Sequence, residues 1–265
     1  MKLLRGIGVP VILVVACALV APVLARAQTD EIQVYDAAIA APGVFNLTLH
    51  DNFTPDGRTI AAFPGGIIPD KSLNGVPEWA LGVTPWLEAG LYLPLYSASK
   101  GRGTTLNGFK LRMLFVSPHA DERKFFFGMN FEFSYNAKYW DPHRATSEIR
   151  PIFGWHLHPW DIIINPILDN SWTGGVKSLD FAPETRLAYN FHSTWTIAAE
   201  EYDDIGPLRH FYSASDQMHQ IYAVFDHTSK IVDVEGGIGF GMTAASDKVT
   251  LKLILSRDLN SRHKN

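Results

Sequence analysis

The chain has 265 residues, a formal net charge of −4 and one cysteine, Cys17. Such a small, negative net charge excludes an electrostatic nucleic-acid partner, and a single thiol excludes a disulfide framework. Beyond residue 27 no stretch approaches the roughly 18 to 20 consecutive apolar residues that a spanning helix needs.

The first 27 residues, MKLLRGIGVPVILVVACALVAPVLARA, set Lys2 and Arg5 ahead of an apolar run and close on Ala25-Arg26-Ala27. This small-x-small ending marks a secretory signal peptide cut after Ala27. Lipoprotein-type cleavage at Cys17 is the competing reading, although residues 18–24 stay apolar. An exported chain without disulfides takes its stability from a large core or from lipid. If it enters a membrane it does so as closed strands, because open edges leave backbone groups unpaired in hydrocarbon.

Residues 28–42, QTDEIQVYDAAIAAP, read as an N-terminal periplasmic lead-in with a short strand at 32–35. Strand-like runs follow at 43–54, 78–83, 87–95 and 109–116, separated by Gly/Pro-rich or Gly/Ser/Thr-rich loops at 55–75 and 97–107. The run at 124–138, KFFFGMNFEFSYNAK, is the clearest. Phe125, Phe127, Met129, Phe131, Phe133 and Tyr135 fall on one side and Phe126, Gly128, Asn130, Glu132, Ser134 and Asn136 on the other, the period-2 pattern of a strand. Further runs at 148–157, 161–168, 181–191, 195–201, 220–226, 231–242 and 249–259 bring the count to about twelve, with residues 260–265 as a polar C-terminal tail.

Trp86, Lys124, Trp160, Trp195 and Lys230 each open a strand after a tight turn, at intervals of 35 to 38 residues. One up-and-down hairpin per interval, with long and tight connections alternating, matches an all-β, antiparallel transmembrane β-barrel of about 12 strands over 43–259. An even count places both ends of the barrel in the periplasm and the protein in the outer membrane of a Gram-negative cell. The alternative is a soluble exported lipocalin-like barrel or β-sandwich binding protein, with the apolar phase inward and the charged phase in water.

The stretches EIQVYD (31–36), PGVFNLTLHDN (42–52), PEWALGVTPWLEAGLY (77–92) and GFKLR (108–112) resemble the bacterial outer-membrane family labelled "MetA-pathway of phenol degradation". That resemblance implies a transporter-like, porin-like barrel and the passage of aromatic or hydrophobic compounds, without defining a substrate site.

In the barrel reading the polar phase lines the lumen with Glu78, Glu88, Lys110, Arg112, Glu132, Glu148, Arg150, Glu184, Arg186, Glu200, Asp233 and Glu235. Charges of both signs facing one lumen either fill the interior as ion pairs or line a polar conduit. A barrel of this size favours a narrow channel or transporter for small-molecule solutes over a wide porin. Trp86, Trp160 and Trp195, with Tyr139 and Trp140 near the opposite rim, read as membrane-interface aromatics in contact with outer-membrane lipid.

His119, His158, His192 and His227 fall at tight turns, where turn hydrogen bonds account for them better than metal ligation. His50, His143, Ser134 and Ser147 are the candidates for an outer-membrane enzyme acting on lipids. No Gly-x-Ser-x-Gly, His-Glu-x-x-His or phosphate-loop pattern occurs, so neither catalysis nor a cofactor is expected.

Overall fold

The computed structural model describes residues 29–260. The signal peptide, the alternative cleavage at Cys17 and residues 261–265 of the tail lie outside the described residues. Twelve strands form the wall: β1 Phe45–Asp56, β2 Ser72–Thr84, β3 Leu87–Ser99, β4 Gly103–Val116, β5 Phe125–Asn136, β6 Ala145–Leu157, β7 Trp160–Ser171, β8 Leu179–His192, β9 Trp195–Asp204, β10 Met218–His227, β11 Asp233–Gly241 and β12 Val249–Asp258. Each pairs antiparallel with its neighbours in sequence, and β12 returns to pair with β1. The sheet therefore closes, with no free edge. Gly206–Pro207 adds a two-residue pairing to β8.

Alternation along each strand separates two environments. On β5, Phe125, Phe127, Phe131 and Tyr135 stand outward, 40 to 51% exposed, while Phe126 and Asn130 are fully buried and Glu132 is 5% exposed. Leu111, Met113, Phe153, Ile197, Phe225 and Leu253 continue the outward apolar band around the wall. A water-soluble protein does not expose a continuous apolar surface of this extent. The outside of the barrel is lipid-facing, and the polar phase is its interior.

Phe45 of β1 and Asp258 of β12 lie at one end, together with the tight connections Pro85–Trp86, His158–Pro159 and Ser193–Thr194. This is the turn end, which by the rule for such barrels faces the periplasm. The 57–71, 137–144 and 205–217 connections lie at the other, loop end. At the turn end His192 and His227 do bond Thr194.

Residues 97–107 are not a loop: β3 runs to Ser99 and β4 begins at Gly103. Ser97 donates to Asn74 Oδ1 and accepts from Asn107 Nδ2, both at 2.6 Å, inside the barrel. Small polar residues that imitate a loop in the sequence here form the inward face of two strands.

The lead-in also departs from expectation. It forms no strand at 32–35 and does not lie outside the barrel; from Gly43 it turns back and threads the lumen. Its backbone bonds to wall side chains. Tyr35 N–H donates to Asn165 Oδ1 at 2.7 Å, Asn165 Nδ2 donates to Tyr35 O at 3.0 Å, Arg150 donates to Gln33 O at 2.8 Å and Asn52 donates to Asp30 O at 2.9 Å. Ile32, Val34, Tyr35 and Ala37 pack on inward-facing Leu114, Val116, Phe126, Ile152, Ile163, Tyr222 and Val224. This apolar ring in the turn-side half of the lumen would be wet without the segment, so hydrophobic burial draws it in. Gly82 makes room for it: a Cβ there would clash with the carbonyl oxygens of Ala40 and Ala41.

Candidate functional site

Beside and above the apolar ring, with Glu88 level with Leu114, the lumen is crossed by a belt of charge, built because inward positions of neighbouring strands come into register. On one side Arg112 bridges Glu78, at 2.6 Å, and Glu88, while His50, itself fully buried, stands 3.3 Å from the second oxygen of Glu78. Glu88 also accepts Ala40 N–H at 2.6 Å, which ties the plug to the wall. Next along the wall Lys110 reaches Asp30 at 2.9 Å and Glu132 at 3.7 Å. Arg150 holds Glu148 at 2.7 Å and Glu184 at 3.0 Å. On the far side Arg186 pairs with Glu200, Asp226 and Glu235, and Lys252 with Glu200 and Glu235.

Tyr35 is the hub between these groups. Its hydroxyl lies 2.7 Å from the Tyr92 hydroxyl and donates to Glu132 at 3.2 Å, and the Arg150 guanidinium stacks on its ring at 4.3 Å. A desolvated cation on an aromatic face is worth about 2 kcal/mol. The belt is thus a set of charges paired both with each other and with the segment they enclose.

Glu78, Glu88, Lys110, Arg112, Glu132, Glu148, Arg150, Glu184, Arg186, Glu200 and Glu235 all enter this belt. Asp233 does not: it is exposed at the start of β11, where its carboxylate accepts Ser229 N–H at 2.7 Å. Being the first residue of its strand, it caps a turn instead of reaching the lumen. Asp30, Tyr35, His50, Tyr92, Asn165, Asp226 and Lys252 complete the belt. Period 2 places His50, Tyr92, Asn165, Asp226 and Lys252 inward, but only the ring closure supplies their partners.

Trp86, Trp160 and Trp195 are 40 to 46% exposed at the turn end. Trp140, expected at the lipid interface, is instead 2% exposed and packs with Ile67, Val76, Tyr92 and Leu95. The 137–144 loop folds inward over the mouth, with Ile67 N–H bonding Tyr139 O at 3.1 Å, so Trp140 closes on the barrel rather than lipid. Tyr139 is half-buried, its hydroxyl donating to Leu106 O at 2.6 Å and its ring lying under Arg102. In the same loop Asp141 accepts His143 N–H at 2.6 Å, and burial raises its carboxyl pKa above the ordinary range. No hydrogen bond among the described residues links His50 or His143 to Ser134 or Ser147; His143 lies beside Thr173 at 2.9 Å.

Between the plug and the loop end remains a vestibule of about 360 Å³, lined by Asp30, Glu31, Asn52, Asp169, Asp180, Gln220 and their neighbours. Its volume is in the range of small-molecule sites.

No protein-family model matches the chain, and no curated protein matches it. Solved structures do. The COG4313 outer membrane channel from Pseudomonas putida F1 aligns with a TM-score of 0.56 at 12% identity, over 86% of this chain and 100% of that one. The KdgM porin, solved in complex with disordered oligogalacturonate, aligns at 0.52 and 7% identity over 81% and 99% of the two chains. The NanC porin aligns at 0.52 and 7% identity over 82% and 100%. At these identities the likeness establishes the outer-membrane barrel fold.

Proposed function

We propose that the protein is an outer-membrane conduit for small molecules, closed at rest by its own residues 30–41, and not an enzyme. The observation that carries this reading is the plug itself, bound through side chains rather than built into the sheet. A segment held by ion pairs, hydrogen bonds and an apolar ring can leave as a unit without breaking any wall pairing. A purely structural filler needs no vestibule beside it. The channel and porin folds it resembles support the same reading.

The narrower expectation of an aromatic or hydrophobic solute comes from the motif resemblance to the phenol-degradation family. It is supported by the apolar wall of Leu114, Phe126, Ile152, Ile163 and Val224, which a solute meets once the plug moves. Trp86, Trp160 and Trp195 anchor the turn end at the lipid interface in this proposal.

Planar-bilayer conductance tests it. The intact barrel is expected to conduct weakly and a variant lacking residues 29–40 strongly, with passage of phenol in vesicle assays testing the narrower solute. A folded deletion variant that does not conduct, or lipid hydrolysis by the intact protein, overturns the reading.

A further inference from the structure

The vestibule carries more carboxylate than its own cations neutralise. Four carboxylates stand side by side on four adjacent strands: Glu132 of β5 faces Glu148 of β6, Glu148 faces Asp169 of β7, and Asp169 faces Asp180 of β8. Like charges in directly opposed positions destabilise a sheet, so the pairing of the wall does not itself favour this row.

The lysine and arginines of the vestibule wall are Arg58, Lys110 and Arg150. Arg58 pairs with Asp247 at 3.1 Å, Lys110 with Asp30 and Glu132, and Arg150 with Glu148 and Glu184. The side-chain carboxylates of Asp169 and Asp180 line the same space with no hydrogen bond and no ion pair among the described residues.

The floor provides a second, independent sign. Glu31 is more than nine-tenths buried and its Oε1 has no hydrogen-bond partner; the same holds for Oδ2 of Asp30. Buried carboxylate oxygens without partners are costly, and both residues line the vestibule, where a cation would offset their charge.

A single metal ion fits poorly. Adjacent strands lie about 4.8 Å apart, so the four-strand row extends over roughly 14 Å. Among the described residues, Glu201, Asp203 and His219 form the one group whose ligand atoms lie within 4.8 Å of one another, and the vestibule row is not part of it. An elongated ligand with separated positive charges matches the row better.

We propose that the vestibule binds a linear organic cation carrying two or more ammonium groups, with Asp169 and Asp180 receiving one end and Glu31 the other. This adds, beside the aromatic solute, a second solute class for the conduit described above. It rests on that reading only for where the cation goes next, because binding needs no displacement of the plug.

Isothermal titration of the detergent-purified, exported barrel tests it, with 1,4-diaminobutane and spermidine set against 1,4-butanediol, glutarate and calcium chloride. Expected are saturable binding of the diamine, tighter binding of spermidine, and none of the diol or glutarate. Affinity should fall at least tenfold in Asp169→Asn/Asp180→Asn, a near-isosteric pair of changes that relieves like-charge repulsion; heat-modifiable gel mobility checks its folding. Equal binding of the diol, calcium binding tighter than spermidine, or undiminished affinity in the double variant overturns the proposal. Conductance measured on the same preparations separates the two ideas. Binding without conductance keeps the cation site and removes the conduit, and conductance without binding does the reverse.

Discussion

Replacing Tyr35 by alanine is the most informative single perturbation of the plug. The ring is 4% exposed, stacks under Arg150 at 4.3 Å, and its hydroxyl lies 2.7 Å from that of Tyr92 and 3.2 Å from Glu132. Truncating a buried aromatic to alanine costs about 3 kcal/mol or more, and each hydrogen bond about 1 kcal/mol. The plug's docking thus weakens by about 5 kcal/mol, more than three powers of ten in its equilibrium. The wall strands keep every backbone bond, so the barrel should still fold and keep its heat-modifiable mobility. Single-channel recording in planar bilayers should show frequent long openings in Tyr35→Ala, few in Tyr35→Phe, and fewest in the parent. A folded Tyr35→Ala barrel with the parent's conductance would refute the argument that this segment closes the lumen.

Other expectations follow from the same geometry. Gly82→Ala places a methyl against the carbonyls of Ala40 and Ala41, overpacking worth about 1–3 kcal/mol; raised conductance with unchanged barrel melting is the expected outcome. Arg112→Ala leaves Glu78 and Glu88 buried without their cation, at a cost of about 3–5 kcal/mol, read as a lower temperature for the heat-induced gel shift. Phe131→Arg puts a charge on the lipid face of mid-strand β5, costing about 2–4 kcal/mol if it sits near the bilayer midplane; Ser134→Arg, on the lumen face of the same strand, should be milder in a refolding titration into lipid vesicles. Equal penalties for the two would contradict the assignment of faces.

Both faces of the wall were legible from residue order because a strand's side chains alternate with period 2 whatever its partners are. The row Phe125, Phe127, Phe131 and Phe133 opposite Asn130, Glu132 and Ser134 could be divided before any fold was known, and the aromatic turns at Trp86, Trp160 and Trp195 marked the hairpins. Local pattern fails where it imitates something else, as Ser97 and Asn107 do by looking like loop residues while facing a polar lumen. It also could not show that Trp140 turns inward, since a loop's aromatic gives no sign of which surface lies nearest.

The plug lay beyond the sequence for a different reason. Residues 30–41 have no sustained period, and their partners Asn52, Glu88, Arg150, Asn165 and Lys252 come from positions all round the ring. Which charge meets which, and whether the interior holds water or a folded segment, is decided only when β12 pairs with β1 and brings those residues within a few ångströms of each other. Composition and alternation determined that there would be a wall with oil on one side and charge on the other; closure of the sheet decided what stands inside it.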